Sequence, residues 1–163
     1  MASERPTVKV KIGGIMQNDH LARVSIMGVP GRPDTAAMLL NALGQAGINV
    51  EFIVQCPDHR NDDHIVLCVD RDELSRTLDL VCQLEAELCA TAVKSDPAVA
   101  GLGIFGPDFR VRPGIAGTFF AALADAGIHI QAVSTSISTV TVIIAASCLA
   151  EAVAAIQRTF ELP

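Results

Sequence analysis

The stretch RPDTAAMLLNALGQAGINVEFIV begins at Arg32, and RPGIAGTFFAALADAGIHIQAVS begins at Arg112, an ungapped offset of 80 residues. Arg-Pro opens both, Ala-Leu lies midway and Ala-Gly-Ile marks the same turn in each. The residues between change but keep their apolar or polar character. A supersecondary unit used twice divides the 163 residues into two units of roughly 70 to 80 residues each. Units of that size are small for independent cores. Half of the residues are hydrophobic, enough for each unit to bury a face against the other or against a second copy of the chain, so an oligomer is expected.

In the first unit ARVSIMGV reads as a strand, with Val24, Ile26 and Val29 apolar, and PGRP breaks it. A helix is predicted from Asp34 to Ala46, with Ala36, Leu39, Leu40, Leu43 and Ala46 on one stripe and Gly47 ending it in a left-handed cap. INVEFIVQC is a second strand, DHRNDD a polar turn and HIVLCVD a third strand. Asp70 or Asp72 caps the next helix, ELSRTLDLVCQLEAE, and LCATAVKS is a fourth strand. The order is βαββαβ, a ferredoxin-like α+β sandwich with helices on one face of an antiparallel sheet. The second unit repeats the pattern from AVAGLGIFG to CLAEAVAAIQRTF and then lacks its last strand, which would leave a sheet edge exposed. The unassigned TVKVKIGG, with Val8, Val10 and Ile12 alternating, is expected to complete it. The first domain, 18–95, is then inserted in sequence within a second made of 5–16 and 96–163.

Several function classes are excluded. A formal net charge of −6 with 4% aromatic residues does not make a nucleic-acid surface, which needs clustered cations and stacking rings. No apolar run reaches the roughly 18 residues of a spanning helix, and the N-terminus lacks a signal-peptide core, so a cytoplasmic protein without a membrane partner is expected. Five scattered cysteines read as reduced thiols. Cys56, His59, His64 and Cys68 form two pairs of zinc-ligand spacing, but on one strand His64 and Cys68 lie about 13 Å apart, too far for one tetrahedral ion. No metal and no cofactor are expected. Asp58, Asp62 and Asp63 read as a solvated turn. No phosphate-binding loop or nucleophile–base motif is found, which argues against an enzyme.

The turns GVPGRPDT and FGPDFRVRPGI place backbone N–H groups at a helix N-terminus, where a carboxylate or phosphate is favoured. An isolated turn of this kind more often only reverses the chain; its recurrence beside the same strand argues for a site. The lead-in KIGGIMQNDHLARVSIMGVPGRPDTAA, the strand AGINVEFIVQ, the second RPGIAGTFFAALADAGIHIQAVSTS and the terminal AIQRTFEL together resemble the tandem ACT domains that form the regulatory region of aspartate kinases. The resemblance runs from about Lys11 to Leu162, without the catalytic kinase domain, which implies a free regulatory subunit or a regulatory fragment. It implies feedback control by lysine or threonine, a homodimer through side-by-side sheets and an aspartate kinase chain as partner.

Carried over residue by residue, the resemblance implies an effector site at Gly31, Pro33, Asp34 and Thr35 with Glu51 and Gln55. It adds Gly127, Ile128, His129 and Ile130, with Ser134, Thr135 and Ser136. The chain departs from the family pattern at the first turn, where GVPGRPD exchanges the acidic and glycine positions of GVPDKPG and leaves Gly31 in place of a carboxylate and Asp34 in place of a glycine; Ile137 stands in place of an acidic residue, and His129 where Asn is common. Weakened or altered lysine recognition is expected. Two other readings remain open, a sensing or dimerisation subunit for another enzyme and a purely structural pair whose pocket has decayed.

Overall fold

The computed structural model describes residues 9–163. In chain order the elements are β1 (Val10–Lys11), β2 (Gly14–Pro30), α1 (Thr35–Gln45), β3 (Phe52–Pro57) and β4 (Asp62–Asp70). A 3-10 turn at Arg71–Glu73 leads into α2 (Leu74–Gln83), followed by α3 (Glu85–Leu88) and β5 (Ala92–Phe105). Then come α4 (Ile115–Asp125), β6 (Ala132–Thr135), β7 (Thr139–Ala145), α5 (Leu149–Thr159) and β8 (Phe160–Glu161). Two compact units result: a first of Asn18–Ala100 with Ala145–Ser147, and a second of the residues up to Gln17, Gly101–Ile144 and Cys148–Pro163. The boundary falls inside β2 and inside β5.

In the first unit the strands lie in the order β3-β4-β2-β5. Both β3 and β2 run antiparallel to β4, with Gln55 and Ile26 each opposite Ile65. The period-2 pattern sends Val24, Ile26, Ile65, Leu67 and Val69 to the face that meets Leu39 and Leu43 of α1 and Val81 of α2. Burying each such leucine or valine contributes about 1.5–3 kcal/mol. Leu40, expected on the buried stripe, is 38% exposed, because Leu39 and Leu43, one turn apart, already fill the contact.

In the second unit β5, β7 and β6 are neighbours in that order, and β6 and β7 are antiparallel. β1 and β8 form a separate two-stranded parallel pair, Val10 opposite Phe160, and Gly13 N–H donates to Phe105 O at 2.6 Å. Residues 5–8 of the expected N-terminal strand lie outside the described residues.

The recurring Ala-Gly-Ile has a physical reason. Gly47 and Gly127 have φ of +73° and +70°, a left-handed conformation that costs a residue with a Cβ about 1–2 kcal/mol. At each position the chain makes the same two bonds. Gly47 N–H donates to Gly44 O and Ile48 N–H to Leu43 O, while Gly127 donates to Ala124 O and Ile128 to Leu123 O. This is the Schellman ending of a helix, with the isoleucine turned back onto the core.

That capping explains where the expected strands begin late. The Ile48 and Ile128 amides serve the helix, so the first bonds towards the ladder are Glu51 N–H to Cys68 O and Gln131 N–H to Ile143 O. Strand structure then starts at Phe52 rather than at 48, and in the second unit at Ala132. Two further expectations are corrected. The second helix is interrupted at Leu84, whose ψ of 8° leaves the helical region, and its last turn ends at Cys89 with φ 46°. That turn carries Leu88 into the core at 1% exposure, so 88–91 cannot be strand. From Ala92 the expected fourth strand and the expected first strand of the next unit are one 14-residue strand, β5. At the start of the second helix region it is Asp70 whose carboxylate accepts from Asp72 N–H, at 2.9 Å.

Cys68 lies opposite both Arg23 and Phe52 in register. Burial pushes its thiol up to about 12, with nearby Arg23 acting against the rise and Asp96 adding to it. The neutral thiol is unreactive, so Ellman's reagent at about pH 8 labels the exposed Cys56, Cys82 and Cys89 and leaves Cys68 unlabelled until denaturant is added, as peptide mass spectrometry will show. Gly47→Ala and Gly127→Ala are each expected to lower unfolding free energy by about 1–2 kcal/mol in urea titrations.

Candidate functional site

The turn between β2 and α1 is shaped by a break in β2. The register of β2 against β4 shifts between Ile26 and Val29, and Gly28 at the break has φ +63°. Three contacts hold it. Gly28 N–H donates to Nδ1 of His64 at 2.9 Å, and Thr91 donates to Met27 O through its N–H at 2.9 Å and through its hydroxyl at 3.0 Å. A Cβ on Gly28 would lie 2.3 Å from the Thr91 hydroxyl oxygen, so the position requires glycine on two counts. Such a bulge turns and twists its strand locally, here just before Pro30 and the turn.

Past the bulge, Gly31 is packed against the β3–β4 loop. A Cβ at 31 would stand 2.5 Å from Asn61 O. This gives a steric reason for glycine where the family pattern has a carboxylate. Asn61 itself has φ 63°, and its loop is closed by the Asp58 carboxylate, which accepts from Arg60 N–H at 2.7 Å and Asp62 N–H at 3.0 Å. These bonds, the Arg60 amide foremost, hold the Asp58 carboxyl below its ordinary range, with His59 and His64 adding to the effect and partial burial opposing it. Arg32 donates to Glu87 O at 2.7 Å and lies 3.6 Å from Asp34 Oδ1. Asp34 precedes the helix without capping it through its side chain.

Thr35, the first residue of α1, is fully buried, and its Oγ1 has no hydrogen-bond partner among the described residues. A buried hydroxyl left unsatisfied costs about 1–3 kcal/mol. The matching position of the repeat is Ile115, 3% exposed. The first unit therefore places a spare polar group at a helix N-terminus where the second places hydrocarbon.

Gln55, an exposed residue, lies at the same end of its sheet as this turn. It is opposite Ile65, hence on the helix-covered face, near the end of β3 that lies beside the start of β4 and the end of β2. Glu51 does not. It sits at the opposite end of the strand, where its carboxylate accepts from Asn49 Nδ2 at 2.7 Å. In the second unit Gly127 and Ile128 give their N–H groups to the end of α4, His129 is exposed and Ile130 is half-buried. Ser134 and Thr135 are exposed on β6, which is the last strand of its sheet and so presents an outward row of backbone groups. The Ser136 hydroxyl is engaged in its own turn, bonded to the Thr139 hydroxyl and accepting from Thr139 N–H. Ile137 beside it is 68% exposed.

Sequence reasoning missed Gly28, Asn61 and His64 as determinants of this turn. The glycine next to a strand end was visible in the sequence, but its partners His64 and Thr91 lie 36 and 63 residues away and depend on strand pairing.

The family that matches is the ACT domain, over residues 102–160. The chain is 34% identical over 151 residues to an aspartate kinase of Stutzerimonas stutzeri and 34% identical to an aspartokinase of Pseudomonas aeruginosa. In both cases 93% of this chain matches 37% of the relative, so the chain spans well under half the length of these curated relatives. Among solved structures, the regulatory subunit of aspartate kinase from Thermus flavus superposes with a TM-score of 0.84 at 27% identity, covering 93% of this chain and 99% of that one. Aspartate kinase from Synechocystis superposes at 0.88 and 26% identity, covering 95% and 28%. The fold is the ferredoxin-like fold of ACT domains. The chain corresponds to regulatory rather than catalytic material. No helix among the described residues is long and apolar enough to cross a membrane.

The clash built into Gly31 is open to direct test. Gly31→Ala is expected to destabilise the protein by about 1–3 kcal/mol in thermal and urea unfolding, whereas substitution of the exposed Val111, its counterpart in the repeat, is expected to change stability by less than about 0.5 kcal/mol.

Proposed function

We infer, from an ACT-domain chain that corresponds to the regulatory part of aspartate kinases, that the protein binds a small amino acid and passes its occupancy to an aspartate kinase as feedback control. One observation carries the reading: the buried hydroxyl of Thr35 at the N-terminus of α1, without a partner among the described residues. An amino-acid carboxylate is suited to the partial positive charge of a helix start, and Thr35 Oγ1 supplies a further donor. Gln55, on the same face and at the same end, reads the side chain. In the second unit, taken by itself, the outward backbone of β6 at Ser134 and Thr135, with His129 and Ile130 before it, offers backbone groups for recognition. Ser136 serves its hairpin, and Gly127 and Ile128 serve the helix end, so these three shape the surface rather than donate to a ligand.

The effector belongs to the lysine or threonine class. With glycine at 31 and isoleucine at 137, no carboxylate stands at either position to hold a side-chain ammonium, which favours threonine over lysine. The domain organisation proposed is 18–95 as one ACT domain and 5–16 with 96–163 as the other. Its assembly is a homodimer, and its partner is the catalytic domain of an aspartate kinase, in the cytoplasm. A groove of about 350 Å³ in the first unit, lined by Leu78, Val81, Cys82, Leu88 and Val93 among others, offers apolar surface for such a contact.

A second reading, a sensing or dimerisation subunit for another enzyme with a changed site, is favoured by the same missing carboxylates and by the commitment of Ser136 to its hairpin.

Calorimetry and thermal shift with threonine, lysine and methionine test the site. Saturable binding of at least one is expected, with a rise in melting temperature that grows with ligand concentration; no heat and no shift with any of them would sink the effector reading. Thr35→Val sharpens the test. It is expected to leave stability unchanged or raised by up to about 1–2 kcal/mol, because an orphan hydroxyl is removed, while weakening effector binding by about tenfold.

A further inference from the structure

We propose that His64 is a positioning residue for the effector turn, holding the Gly28 bulge through its unprotonated Nδ1 and releasing it when the ring gains a second proton. The proposal rests on the reading of the Gly31–Thr35 turn as the effector site.

The geometry is specific about the proton. Gly28 N–H donates to Nδ1 at 2.9 Å, which requires that nitrogen to be an acceptor, with the ring proton on Nε2. Nε2 in turn faces Asp58 Oδ2 at 3.8 Å. Adding a proton to Nδ1 replaces an attraction with two opposed N–H groups, and it turns the ring into a cation that the Asp58 carboxylate attracts. The same event that unlatches Gly28 therefore offers His64 a competing partner.

Both partners sit on the turn's supports. Gly28 lies three residues before Gly31. Asp58 closes the loop whose Asn61 carbonyl packs on Gly31. A ring that moves from Gly28 towards Asp58 disturbs the turn from two sides.

From β3, Cys56 stands directly across from His64, and from the loop come Asp58 and, beside it, His59. Asp62 and Asp63 precede His64 on its own strand. β2 contributes no ionisable side chain between Ile26 and Pro30, and from the end of the unit Thr91, uncharged, braces the other side of the bulge. Because its backbone bonds hold the Asp58 carboxyl below its ordinary range, Asp58 stays ionised through the mildly acidic range in which imidazoles gain their second proton.

Amide spectra of the full, 15N-labelled chain between about pH 8 and pH 5.5 test this, alongside calorimetry with threonine and with lysine at both ends. In the wild type the Gly28, Gly31 and Thr35 amides are expected to move with one midpoint, and affinity to fall by about tenfold on acidification. His64→Asn, which keeps an acceptor near the Nδ1 position but takes up no proton, is expected to bind at about pH 8 like the wild type and to lose the pH response in both readouts. His64→Phe is expected to bind weakly at either pH. Gly31 and Thr35 amides that stay still while Gly28 titrates would overturn the proposal, as would a His64→Asn protein that keeps the wild-type pH response. If the three amides titrate together and neither amino acid binds at about pH 8, the latch stands and the effector reading falls.

Discussion

The left-handed residues Gly47 and Gly127 let α1 and α4 stop where the next amide can close back on the helix, and that reversal places the strand after each helix. With Ile48 N–H bound to Leu43 O, the chain leaves the helix with its isoleucine against the core and meets the ladder at Glu51. With Ile128 bound to Leu123 it does the same and meets the ladder at Gln131. The length of the reversal sets which residues of β3 and β6 face the helices. A one-residue slip would send Ile53 and Gln55 to the other face, separating Gln55 from the start of α1.

Against that common frame the two helix starts differ. Thr35 buries an unsatisfied hydroxyl where Ile115 buries hydrocarbon. In a repeat whose caps agree bond for bond, a polar group left without a partner in one copy only is not a packing necessity, since the other copy shows that an apolar side chain fits the place. Its cost is tolerable when a ligand supplies the missing bond. The neighbouring glycine points the same way: Gly31 admits the carbonyl of Asn61, so the turn is built from the β3–β4 loop as well as from its own residues. His64 links that loop and the β2 bulge, bonded to the bulge at Gly28 and 3.8 Å from the Asp58 that closes the loop, so the turn rests on supports beyond its own residues.

Much of this architecture was legible in the residues. The alternation of Val24 and Ile26, the stripe of Leu39 and Leu43 and the glycines after each helix are local signals. Local signals failed where a residue had two suitable places. Leu40 has the chemistry of the stripe but not the angle, Leu88 could begin a strand or finish a helix, and the residues from 88 to 106 held two apparent strands that pairing joined into β5. At the candidate site the turn residues could be read from Pro and Gly, but Glu51 was grouped with Gln55 by proximity in sequence. Glu51 precedes β3 and bonds Asn49, while Gln55 lies towards the strand's far end.

The sequence by itself determined that one unit is used twice, that each unit alternates strands and helices in the βαββαβ order, and where each first helix must end. Those features come from periodicity and from backbone conformations that few residues other than glycine adopt readily. Only the tertiary structure decided that the Thr35 hydroxyl has no partner among the described residues, that Gly31 touches Asn61 and that His64 holds Gly28. These depend on which strands pair and in what register, and a hydrogen bond between residues 36 positions apart leaves no trace in the local pattern of either one.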